Sequence, residues 1–161
     1  MTFHEKGELQ VLGDPIAHMR RYPEMYLGGL QTPTGEFLAA RLISDLVWLH
    51  ALPAEVVDID GWWVVRSSID WLASGSPTYT TDSALSHLVP WPEMGSNSFH
   101  GEILLTAFAD AVVTSGTDGI KWITGTPDKF ALPGINLLGP GRIIAFTLVR
   151  GSQHPNERDG G

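Results

Sequence analysis

The chain contains no cysteine. Disulfides, thiolate metal sites and cysteine nucleophiles are excluded. A reducing compartment suits such a chain, and we read it as cytoplasmic. It is also short of charge: 17% of its 161 residues are Asp, Glu, Lys or Arg, against roughly a quarter in typical globular proteins. Cations are the scarcer sign, with 10 Lys plus Arg against 18 Asp plus Glu and a net charge of −8. That deficit argues against direct nucleic-acid binding, where phosphates demand clustered cations. No long hydrophobic run occurs. The richest stretches, near Leu42–Leu52 and Ile103–Val113, are short and contain polar residues, so no membrane association is expected. The opening Met1-Thr2-Phe3-His4-Glu5-Lys6 lacks a basic region followed by an apolar one, and no secretory signal is expected. No His-Glu-x-x-His, Gly-x-Ser-x-Gly elbow, Walker loop or dinucleotide fingerprint is present, so neither a metal site nor a hydrolase triad is expected.

What is present is an ordinary hydrophobic content of 43%, enough for a sizeable core without a staple. Residues 1–150 are expected to form one domain, and 151–161 a polar, flexible tail. Glu8–Leu12 alternates like a short strand or arm. Asp14-Pro15 is a helix start, because Asp accepts from orphan amides and Pro suits the first turn. That helix runs to Arg21 and is stopped by Pro23. Met25–Gly29 reads as an apolar hinge. Thr34 caps a long amphipathic helix from Gly35 to Leu52, with apolar residues at steps of three and four.

Asp60-Gly61 is a two-residue hairpin turn between strands at Glu55–Ile59 and Trp62–Ser67. Gly75–Asp82 is a polar loop, and a short helix follows as far as Leu88. A small-residue loop at 93–99 leads into a second helix, His100–Ala111. Strands are expected at Val112–Ser115, Gly119–Thr124 and Arg142–Arg150, with a Pro/Gly-rich connection at Asp128–Pro140. The order predicts an α+β two-layer sandwich, with helices on one face of a mixed, mostly antiparallel sheet.

The segment Ile16-Ala17-His18-Met19-Arg20-Arg21-Tyr22-Pro23-Glu24-Met25-Tyr26-Leu27-Gly28-Gly29 resembles the opening signature of the gyrase B and topoisomerase IV ATPase domain. There a short helix leads into an Arg-Pro-Gly-Met-Tyr-Ile-Gly pattern. The likeness extends more loosely over residues 12–150. It implies the GHKL, or Bergerat, sandwich and a site for ATP with magnesium. Residue by residue, the implied site is altered. The water-activating Glu of the family's first helix falls on Arg41, whose guanidinium stays protonated and is no general base. The magnesium-binding Asn falls on Asp45, which still offers oxygen.

The family's Asp-x-Gly-x-Gly motif, whose Asp accepts from adenine, corresponds to Ser67-Ser68-Ile69-Asp70-Trp71. Asp70 comes late, and Ile69 and Trp71 stand where small residues are needed. The lid glycines correspond to His100-Gly101, followed by Glu102, whose carboxylate suits triphosphate badly. The closing Gly-Thr-x-x-x-Phe strand is matched by Gly141-Arg142-Ile143-Ile144-Ala145-Phe146, with Arg142 in the Thr position.

These departures lead to an expectation of no catalytic residues and no required cofactor: a pseudo-ATPase that binds a protein partner or self-associates. Regulation of a related ATPase and an antitoxin- or immunity-type role both suit it. The alternative is a divergent binder of ATP and magnesium, with Asp45, Asp70, His100 and Gly101 as the contacting residues. Trp62, Trp63, Arg21 and Tyr26 are the candidate contacts for a partner. Neighbours in a strand face opposite sides, so one of Trp62 and Trp63 is core and the other exposed or covered. The segment around Tyr26 reads rather as a structural corner, and Trp48, Trp71 and Trp91 as core or rim packing. Asp45 reads rather as a solvated or capping carboxylate than as a magnesium ligand shared with Asp70.

Overall fold

Asp60 and Gly61 both take positive φ, 50° and 85°, the geometry that lets a two-residue turn follow the twist of its strands. This turn joins β1 (Ala54–Ile59) to β2 (Trp62–Ser67) in an antiparallel hairpin that pairs Ile59 with Trp62 and Ala54 with Ser67. A second hairpin joins β3 (Ala111–Gly116) to β4 (Gly119–Thr124). The strand β5 (Arg142–Thr147) lies between the hairpins, antiparallel to both β2 and β3. The sheet order is β1-β2-β5-β3-β4. In this computed structural model the described residues are 13–72, 80–95 and 98–148.

Helices cover one face. The side chain of Asp14 accepts from the amides of Ile16 and Ala17 and caps α1 (Pro15–Arg21). Pro23 ends it and opens a single turn, α2 (Pro23–Tyr26), where the sequence suggests a hinge. Thr34 accepts from the Phe37 amide and caps α3 (Gly35–Trp48). The buried stripe of α3 is Gly35, Leu38, Ala39, Leu42, Asp45 and Leu46, the three-and-four spacing of one helix face. The helix stops four residues short of the expected Leu52, because His50 turns to φ 55° ahead of Pro53. A capping box between Thr80 and Ser83 starts α4 (Thr81–Ser86). The last helix, α5 (Glu102–Phe108), is shorter than expected, since Ala111 already belongs to β3. Met19, Leu42, Leu46, Ile103, Leu104, Val65 and Phe146 form the core between helices and sheet.

The opposite face is not bare. The connection expected at Asp128–Pro140 crosses it as an irregular strap, residues 126–141. Phe130, Leu132, Ile135 and Leu137 pack there against Trp62, Val64, Val113 and Ala145. Gly125 permits the crossing: a Cβ there, at φ +78°, stands 2.9 Å from Phe130. The architecture is thus an α+β two-layer sandwich with an added non-helical cover. No helix among the described residues is long and apolar enough to cross a membrane. The expected arm at Glu8–Leu12 and tail at 151–161 lie outside the described residues.

Candidate functional site

Asp45 occupies a core-facing position of α3 and is almost wholly buried. A carboxylate there needs partners, and it has two. Arg41, one turn earlier, donates from Nε to Asp45 Oδ1 at 3.3 Å. The backbone N–H of Gly101, the residue ahead of α5, donates to Oδ2 at 2.8 Å. Arg41 also donates from Nη2 to the carbonyl of Phe99 and lies over the Phe99 ring, 4.8 Å from its centroid. Together these contacts latch α3 to the start of α5. Gly101 is required by close approach, since a Cβ there stands 2.9 Å from both Arg41 Cγ and Asp45 Oδ2. Burial raises the Asp45 pKa above its ordinary value, against the opposing pull of Arg41 and the Gly101 amide.

His100 stacks on Trp91, with centroids 4.2 Å apart and planes within 10°. Burial foremost, with Arg41 adding to it and Glu93 opposing, holds the imidazole down at about 4. It is therefore neutral at pH 7. A cleft of about 250 Å³ opens here between Arg41, Ser44, Asp45, Trp91 and Phe99. Behind it Glu102 is fully buried and accepts from Trp71 Nε1 at 3.0 Å. Trp71 and Glu102, which sequence reasoning set down as obstacles to a nucleotide, pair with each other.

A second polar cluster surrounds Arg142, whose side chain is fully buried. Its Nε donates to Asp70 Oδ1 at 2.8 Å and its Nη2 to Asp70 Oδ2 at 3.1 Å. It also donates to Thr114 Oγ1 and to Asp118 Oδ1, each at 3.0 Å. The backbone and hydroxyl of Thr117 add two bonds to Asp70 Oδ2, both at 2.9 Å. Burial works against the Asp70 charge, but Arg142 and Thr117 outweigh it and hold the carboxyl below its ordinary range. Asp118 is likewise held down, by Thr81 and Arg142 against burial. Gly116 makes room, for a Cβ there stands 2.4 Å from Arg142 Cζ.

No family model, no curated protein and no solved structure matches this chain. Its site therefore rests on its own geometry. Asp45, His100 and Gly101 come together in the first cluster, and Asp70 belongs to the second. Among the described residues no group of three or more His, Asp or Glu is placed to hold a metal ion.

The candidate partner contacts divide. Trp62 is buried under the strap, edge-on to Trp122, which removes it as an exposed anchor. Trp63 is half-buried on the helix side, so close to Gly35 that a Cβ there stands 2.0 Å from its Nε1. The tryptophan that does face solvent is Trp48, 61% exposed, where packing was expected. Tyr26 is half-buried, 2.6 Å from His18 Nδ1 through its hydroxyl and edge-on to Phe99; burial raises its pKa. Arg21 is exposed and lies over the Tyr22 ring. The neighbouring Arg20 donates to the Ala107 carbonyl at 2.7 Å, so this segment is a corner bolted to α5, with Met25 left outside.

In the sequence Arg142 stands out only as a departure from the resembled pattern. The signal for its role was a cation opening an otherwise apolar strand, Arg142-Ile143-Ile144-Ala145-Phe146. A cation carried into a buried strand requires a buried anion.

Proposed function

We propose that this chain is a cytoplasmic protein-binding or regulatory module, built on a gyrase-B-like scaffold and without ATP hydrolysis. The observation that carries this reading is the Asp70–Arg142 pair. In the family it resembles, an Asp near this position accepts from adenine and the closing strand supplies a Thr. Here Arg142 replaces that Thr and its guanidinium occupies both oxygens of Asp70. Two further contacts support it. Arg41 stands where a general base is needed and cannot take up a proton. Both oxygens of Asp45, a candidate magnesium ligand, accept from Arg41 and from the Gly101 amide. Asp70 already accepts from Arg142 and twice from Thr117, so an adenine amino group would compete with those bonds, and a cation at Asp45 would meet the Arg41 guanidinium, 3.3 Å from Oδ1.

Thermal unfolding with millimolar Mg-ATP tests the reading, since any ligand of the native state raises the midpoint by mass action. The expected result is an unchanged midpoint and no phosphate release. A rise with nucleotide, or sustained phosphate release by purified protein, overturns it.

A further inference from the structure

The edge of the sheet at β1 carries an inference that rests on the protein-binding reading and deepens it. Among the described strands β1 has one neighbour, β2. The pair Ile59–Trp62 closes a two-residue turn and is hydrogen-bonded, so bonding alternates along the hairpin. The Ser68 amide donates to the Pro53 carbonyl in step with that alternation. Glu55, Val57 and Ile59 thus bond β2, while Ala54, Val56 and Asp58 turn their peptide groups outward. Among the described residues nothing else pairs with this row, and a row of this kind is a template for another strand.

Its side chains say what strand. Glu55, Val56, Val57 and Asp58 are all exposed: two carboxylates flanking two aliphatic residues. Asp60, also exposed, adds a third carboxylate at the turn. Among the described residues Arg66 pairs with Glu55 at 3.6 Å and donates to the Asn136 carbonyl at 3.2 Å, so the edge keeps a negative surplus from Asp58 and Asp60. A second copy of the chain would bring the same carboxylates and another net charge of −8, which disfavours self-pairing. A segment that is basic, aliphatic, aliphatic, basic matches the row when run antiparallel, from Asp58 back to Glu55. Where β1 begins, a cleft of about 390 Å³ opens between Pro53, Ala54, Arg66, Leu138, Pro140 and Ile143. It lies where the second residue beyond the last basic one would reach; Pro53, Ala54, Leu138 and Ile143 give it an apolar side, and Glu55, Arg66, Ser67 and Ser68 a polar one.

We propose that the outer edge of β1 receives an extended basic segment of another protein by strand addition, seating an aliphatic side chain of that segment in the cleft beside Pro53 and Leu138.

The probe is a labelled, end-blocked peptide with the core Lys-Val-Val-Lys-Thr-Leu, titrated against the full chain by fluorescence anisotropy. Saturable binding that weakens with salt is expected. Val56→Pro removes an outward N–H at an edge position that tolerates proline, and should weaken binding about tenfold or more without changing the circular dichroism spectrum. Glu55→Lys with Asp58→Lys should reverse the preference toward a Glu-Val-Val-Glu-Thr-Leu core. Absence of peptide binding, or equal binding by the Val56→Pro chain, overturns the proposal. So does a dimer of the free chain that Val56→Pro dissociates, which would make a second copy the occupant. Partners retained equally by wild type and Val56→Pro would sink the edge proposal while leaving the module reading intact, whereas nucleotide binding would sink the latter alone.

Discussion

Arg142 and Asp70 face each other as a two-pronged pair, Nε to Oδ1 at 2.8 Å and Nη2 to Oδ2 at 3.1 Å. The same guanidinium reaches Thr114 on β3 and Asp118 in the β3–β4 turn. One cation thus ties the start of the central strand to the segment after β2 and to the second hairpin. Its charge-assisted bonds are the strong kind, but the pair is dangerous to break.

Replacing Arg142 by Met leaves Asp70 without its cation and should cost about 3–5 kcal/mol of unfolding free energy. Asp70→Asn should also destabilise. The double variant should lose less than the two single losses combined, because each removes a charge that the other has already orphaned. Urea titrations of the four proteins check this, and strict additivity would contradict it.

Acid should weaken the fold in two stages. The unfolded His100 takes a proton near 6.5 but the folded one only near 4, so the unfolded state gains protons first. Stability should fall as pH drops from 6.5 toward 4, and His100→Phe should flatten that slope. Asp70 and Asp118, held below their ordinary values, contribute stability that is present above about 4 and lost as pH falls through their folded values. Unfolding midpoints at a series of pH values separate the stages. An unchanged slope in His100→Phe would remove the histidine from the explanation.

Two glycines with nearly equal φ should respond differently to Ala. At Gly61, φ +85°, nothing lies within 4 Å of the added Cβ, so only the left-handed backbone costs, about 1–2 kcal/mol. At Gly141, φ +81°, the Cβ meets the Ser67 carbonyl oxygen at 1.9 Å and Ser68 backbone within 3 Å. Backbone cannot swing aside, and Gly141→Ala should yield far less folded protein. Similar midpoints for both variants would be inconsistent with this close approach.

Of the tryptophans placed here, Trp48 is the exposed one, while Trp62, Trp71 and Trp91 are buried. Iodide should quench a minor, red-emitting part of the native fluorescence. Trp48→Phe should remove most of that part and change stability by less than about 0.5 kcal/mol. Persistence of the quenchable emission would place the exposed indole elsewhere.

The hairpins were legible because their signals are local: Asp60-Gly61 and Gly119 mark turns between alternating runs. The caps at Asp14 and Thr34 were legible for the same reason. The strap was not, since Phe130, Leu132, Ile135 and Leu137 carry no regular period and their burial depends on a sheet face far away in sequence. Asp45 reads in the sequence as a solvated or capping carboxylate; it is buried and accepts from the Gly101 amide of a distant segment, a contact that no local pattern marks. The Arg142–Asp70 pair spans 72 positions, and no local pattern announces which anion a strand-opening cation will meet. Trp48 misled because it continues the helix while lying off the buried stripe.

The order of the sheet bears on how the polypeptide assembles. β5 comes last of the described strands yet sits in the middle. A nascent chain released only as far as Pro140 holds two hairpins with no seam between them. Every pairing that makes them one sheet waits for the final few residues of that strand to emerge, Thr147 reaching back to Trp62. Such late, long-range closure slows folding and leaves strand edges open meanwhile, so synthesis stalled just short of Arg142 should leave protease-sensitive, aggregation-prone fragments rather than a smaller stable core.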